Sequence, residues 1–170
     1  MSPRRGARAL AAVAALTLAL GACGGDGDGE AEASVAPGDL DADFLPSQLL
    51  DLTVEKETVE SVEAARGTYL DGLGLYSVRE GDLLQATLQV GRFSEEAEYT
   101  DDTFQRAIVN QIGASAPKAY RMGDQRVWLT TGKSQRVSVW FEQDMFFVLA
   151  VRDDFEQGRT LLRETLELDK

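Results

Sequence analysis

Residues 135–151 read QRVSVWFEQDMFFVLAV, two runs of strand-forming residues joined by Gln143-Asp144. In the first run Val137, Val139 and Phe141 alternate with Ser138, Trp140 and Glu142, the period of a strand with two unlike faces. The second run, residues 145–151, is apolar throughout, which suits a central strand covered on both sides. The two form a predicted hairpin, and hairpins recur outward from it. Residues 83–93, with Leu84, Ala86, Leu88 and Val90 in alternation, pair with residues 72–79 across Glu80-Gly81-Asp82. Further strands are predicted around residues 119–122 and 126–130, with turns at Gly123-Asp124 and Gly132-Lys133. Leu50, Leu52 and Val54 alternate with Asp51, Thr53 and Glu55 as one earlier strand.

Helical spacing appears in three places. Asp102 followed by Gln105 has the form of a capping box and opens a helix with Phe104, Ile108 and Ile112 on one face. Asp154 with Gln157 repeats that signal ahead of Phe155, Leu162 and Leu166. Residues 58–66 place Val59, Val62 and Ala65 on one side and end at Gly67. Hairpin and capped helix thus occur twice, over residues 72–112 and 135–168, an order compatible with an internal duplication. The predicted fold class is α+β: a single antiparallel sheet of five to seven strands with about three packed helices, in one domain over residues 44–170.

The N-terminus has a different character. Arg4, Arg5 and Arg8 precede a short apolar run over residues 9–20, and Leu20-Gly21-Ala22-Cys23 follows, ending in the only cysteine of the chain. The run is shorter than the roughly 20 residues a spanning helix needs. This arrangement resembles a bacterial lipoprotein signal with its lipobox. The resemblance implies that residues 1–22 are a signal peptide, that Cys23 takes a diacylglycerol with palmitate-type chains, and that the remainder sits lipid-anchored on the extracytoplasmic face of the cell membrane. The domain adds two resemblances. Its element order is similar to the Mog1/PsbP-like α/β/α sandwiches found in small exported lipoproteins. Through Leu83-Leu84-Gln85-Ala86-Thr87-Leu88-Gln89-Val90, Asn110-Gln111-Ile112-Gly113 and Val151-Arg152-Asp153 it resembles an uncharacterised family of actinobacterial lipoproteins, which implies no activity.

Residues 23–43 read as the lipidated cysteine and a flexible acidic tether, since Asp26, Asp28, Glu30, Glu32, Asp39, Asp41 and Asp43 stand there with no base among them. Asp26-Gly27-Asp28-Gly29-Glu30 imitates the start of a calcium loop, but Ala31 and Pro37 occupy the positions that require glycine and glutamate. The whole chain carries a net charge of −12, and removing a segment with three arginines and no acid takes it to −15. So acidic a protein is not a nucleic-acid ligand. The chain has no histidine, which removes His-ligated zinc and His-based triads, and no metal or cofactor is expected.

Catalytic patterns are weak. Thr131-Gly132-Lys133-Ser134 ends like a phosphate loop, but Val127 stands where the first glycine belongs and a strand follows instead of a helix. Glu95, Glu96, Glu98, Asp101 and Asp102 are the candidate acids for carboxylate chemistry; they also suit a helix N-terminus. Lys133 and Ser134, as neighbours in a strand, would point to opposite faces.

Trp128 and Trp140 give a sharper expectation. If Val127 and Leu129, and Val137, Val139 and Phe141, face one core, both tryptophans face away from it beside Arg126, Arg136 and Arg121, as an aromatic-and-arginine patch that binds a partner. The alternative, which Phe146 and Val148 on the neighbouring strand favour, is that a helix covers that face and the tryptophans are core. The sequence therefore points to a lipid-anchored, non-catalytic module that binds a protein partner or envelope component. The alternative is a carboxylate-dependent hydrolase of cell-wall glycan.

Overall fold

The structure is a computed structural model and describes residues 38–58, 69–95 and 97–168. The strands are β1 (Gly38–Asp39), β2 (Gln48–Leu49), β3 (Leu52–Lys56), β4 (Leu70–Glu80), β5 (Leu83–Phe93), β6 (Lys118–Met122), β7 (Gln125–Gly132), β8 (Gln135–Glu142) and β9 (Met145–Arg152). Helix α1 (Asp102–Ile112) follows β5, and α2 (Gly158–Leu166) follows β9. Eight strands form one antiparallel sheet in the order β2-β3-β4-β5-β9-β8-β7-β6, and β1 adds a short parallel pairing to β4. The connecting turns each place one residue in the left-handed region: Gly81, Gly123, Ser134 and Gln143.

This corrects the expected α+β class. The fold is largely β, with eight antiparallel strands where five to seven were expected and two short helices among the described residues. One cause is that residues 48–56 make two strands, not one, because Leu50 turns the chain at φ 56°. The helix expected over residues 58–66 lies, but for Thr58, outside the described residues.

The hairpin at 135–151 is central. β9 lies between β5 and β8, and the residues of the strand divide between two hydrophobic clusters. Met145, Phe147, Leu149 and Val151 join the cluster under α2, with Leu88, Trp140, Leu161 and Leu162. Phe146 and Val148 join the one under α1, with Val139, Ile108, Val109 and Ile112. Each leucine of α2 buried this way contributes about 1.5–3 kcal/mol.

The helices cover opposite faces, and this removes the duplication. Neighbouring antiparallel hairpins related by a two-fold axis normal to the sheet keep their helices on one face. Here β4-β5-α1 and β8-β9-α2 have opposite hands, so neither unit superimposes on the other.

Both caps also shift. Asp101, not Asp102, caps α1, its carboxylate accepting from the Phe104 amide at 2.8 Å, while Gln105 donates to the Tyr99 carbonyl. At α2 no side chain caps the start; the Asp154 carboxylate is taken by Arg152 two residues earlier, and the helix begins at Gly158. That ion pair holds the Asp154 carboxyl below its ordinary value.

The domain also begins earlier than residue 44. Leu40 and Ala42 are buried, and the Tyr76 hydroxyl accepts from the Ala42 amide at 2.7 Å and donates to the Leu40 carbonyl at 3.2 Å. Lys56 pairs with both Asp39 and Asp41, whose hydrogen bonds raise its pKa above the usual lysine value. A Cβ on Gly74 would come within 2.6 Å of the Leu40 carbonyl oxygen, so residues 38–45, a strap across this end of the sheet, lie this close only because residue 74 has no side chain. Residues 38–43, expected as the end of the tether, are part of the fold.

Candidate functional site

Leu20, Gly21, Ala22 and Cys23 lie outside the described residues, as does Glu96. The two tryptophans do not form the expected patch. Trp128 is 4% exposed and Trp140 fully buried, and they lie on opposite faces. The register explains it: Val127 pairs with Trp140, and Trp128 with Val139. A residue and its cross-strand partner share a face, so each tryptophan sits with a valine of the neighbouring strand. The expectation assumed one buried face, whereas both are core.

The arginines beside them also have structural work. Arg126 stacks 4.5 Å from the Trp128 ring centroid and pairs with Asp102 at 2.7 Å, fixing α1 to β7. Arg136, on the α2 face, donates to the carbonyls of Asp153 and Phe155 and braces the loop that leads into α2. A Cβ on Gly158 would approach Val151 Cγ1 to 2.9 Å, so this bare position seats the start of the helix on β9. Of the candidate acids, Asp101 caps, Asp102 pairs, and Glu95 and Glu98 are exposed. Lys133 and Ser134 form the β7–β8 turn, in keeping with the hairpin reading of that segment.

A different feature stands out on the α2 face. α2 packs against β9, which leaves the β6–β7 margin of that face uncovered as a groove of about 610 Å³. Lys118 and Tyr120 rise into it from β6, opposite Leu129 and Val127 of β7. Arg136 and Ser138 line it from β8, Arg159 and Leu162 from α2, and Arg121 reaches it from the strand edge. Tyr120 is 49% exposed, and Leu129 and Leu162 give the groove apolar surface.

No acid lines this groove, although the chain has 29 acids against 17 bases. Lys118, Arg121 and Arg159 have no carboxylate partner among the described residues. A concave surface with charges of one sign concentrates their field, so the lining of this groove suits an anion in a chain of net charge −12. An adjoining hollow of about 540 Å³ shares Arg121, Met122 and Arg159 and adds Arg163, but also Asp124, Glu142 and Glu167.

The larger groove offers cationic and hydroxyl donors over apolar surface, and its side chains supply no carboxylate for acid–base chemistry. Among the described residues no three His, Cys, Asp or Glu stand together as metal ligands, and no helix is long and apolar enough to cross a membrane. The groove escaped the sequence reading because its cations come from β6, β8 and α2, far apart in the chain. Arg159 and Arg163 are spaced to share a helix face, but Arg163 lines the adjoining hollow and not this groove.

No family model matches the chain, and neither does any curated protein or solved structure. The likenesses carried by residues 83–90, 110–113 and 151–153 and by the N-terminal signal stand as expectations from sequence.

Proposed function

We propose that this protein is a lipid-anchored, extracytoplasmic, non-catalytic binding module, whose domain takes an anionic partner protein or envelope component into the groove between β6 and α2. The groove free of acids, in a chain of net charge −12, is the observation that carries the binding half of this reading. The arrangement of Arg4, Arg5, Arg8, the apolar run and Cys23 supports the anchored half. Anchoring confines module and partner to one surface, so a modest affinity suffices for occupancy.

The two halves are tested separately. Mass measurement of the protein from its native host should show a chain that starts at an acylated Cys23; an intact initiator methionine or a free thiol overturns the anchor. Crosslinking on intact cells from positions beside Lys118 and Arg159 should capture an acidic partner, and capture that survives charge reversal at both positions overturns the groove as its site. The glycan-hydrolase alternative finds no carboxylate in the groove and would have to use the adjoining hollow, which Asp124, Glu142 and Glu167 line. Release of reducing ends from cell-wall glycan by the purified chain would restore it.

A further inference from the structure

We propose that β6 accepts an added β-strand from an acidic segment of a partner protein, with the groove taking the side chains that this strand presents toward α2. The proposal rests on the binding-module reading and names its partner class and geometry. β6 is the last strand in the sheet order, and its outer row of backbone groups has no strand beside it among the described residues. Such an edge is a template for pairing with an extended chain.

The two edges of the sheet differ in this respect. β2 has two residues, follows Pro46 and packs near α2. β6 has five residues in unbroken register with β7, and all but Met122 are exposed. Its alternation sorts the side chains: Lys118, Tyr120 and Met122 lie on the α2 face, Ala119 and Arg121 on the other. A strand added outside β6 sends every second side chain over the groove, where Lys118 and Arg159 have no ion-pair partner among the described residues.

Charge selects the occupant. A second copy of this chain would bring its own Lys118 and Arg121 to the same seam with no acid in either strand, and an edge carrying charge of one sign disfavours self-pairing. A segment with glutamate or aspartate at alternate positions meets them with the opposite sign, and Tyr120 and Leu129 offer apolar contact between the charges.

The test uses the purified full chain in detergent micelles and a synthetic peptide of about ten residues alternating glutamate with threonine or valine. The expected result is salt-sensitive binding with slowed amide exchange in Lys118–Met122. Affinity should fall about tenfold or more in K118E/R159E, and by a similar factor when alternate peptide amides are N-methylated, which blocks strand pairing without changing charge. Thermal unfolding of K118E/R159E checks that the variant is folded, and the milder K118M should lose affinity in the same direction.

Undiminished binding of the N-methylated peptide overturns strand addition. So does inorganic polyphosphate binding equally well without slowing exchange in β6, which would make the groove a simple anion site. Absence of peptide binding, or concentration-dependent self-pairing through β6, overturns the choice of partner. None of these readouts depends on the lipid at Cys23, so failure here leaves the anchor standing, and an acyl-free Cys23 leaves this proposal standing.

Discussion

At the β3 end of the sheet Lys56 is held between Asp39 and Asp41, and the segment that carries those acids is fastened by Tyr76 and by burial of Leu40 and Ala42. At the β6 end Lys118, Arg121 and Arg159 form no ion pair among the described residues, although Arg121 and Arg159 also line the hollow that holds Asp124, Glu142 and Glu167. The same kind of side chain therefore closes one margin and leaves the other open. With acids in excess, a basic side chain left without one marks surface that folding has not used. Exposed ion pairs contribute little individually, so the clasp at Lys56 matters for where it holds the chain more than for its energy.

The two ends meet in one core. Phe147, fully buried, stacks on Trp140 at 5.0 Å and takes the edge of Phe44 from the strap at 6.0 Å. Phe147→Ala should cost about 3–5 kcal/mol and lower the stability of both margins in a single denaturant transition. Separate transitions at the two ends would show that they are independent units. Tyr76→Phe should cost about 1–3 kcal/mol because it strips the Ala42 amide of its acceptor. Its faster amide exchange should be confined to residues 38–45, and spread to β6 would break the contrast between the ends.

Charge reversal in K118E/R159E should leave stability within about 0.5 kcal/mol by chemical denaturation, since neither cation has an ion-pair partner to lose among the described residues. A larger loss would mean that the groove cations hold the fold after all. The smallest effect concerns pH. The Lys56 pKa is raised in the folded state, so its contribution is fully present below the ordinary value of 10.5 and is lost only as pH climbs past the raised value. Limited proteolysis at residues 38–45 should stay slow up to pH 10.5 and quicken above it; quickening near neutrality would show that the clasp does not hold the strap.

Much of the sheet was legible in single strands: period-two alternation marks 83–93 and 135–142, an unbroken apolar run marks 145–151, and all three are strands. What failed needed information between strands. Val127 and Trp140 share a face only through the β7–β8 register, which no local pattern encodes; the exposed patch failed for that reason, and the helix-covered alternative matches the burial of both tryptophans. The cap expected at Asp154 failed because Arg152, two residues away, competes for the same carboxylate. The strap was legible and overlooked. Asp39-Leu40-Asp41-Ala42-Asp43 alternates like a strand, but averaging its charge with the preceding glycine-rich acids made it resemble a spacer. The groove was least accessible of all, since it exists only where β6, β8 and α2 converge.

The strap has a mechanical meaning as well. β1 runs parallel to β4, so tension entering at residue 38 and directed along the strand loads its hydrogen bonds in shear instead of peeling them one by one. The Lys56 clasp and the Tyr76 hydroxyl lie next along the same path. A pull applied at residue 38 would thus meet resistance at this margin first, five strands away from β6 in the sheet order.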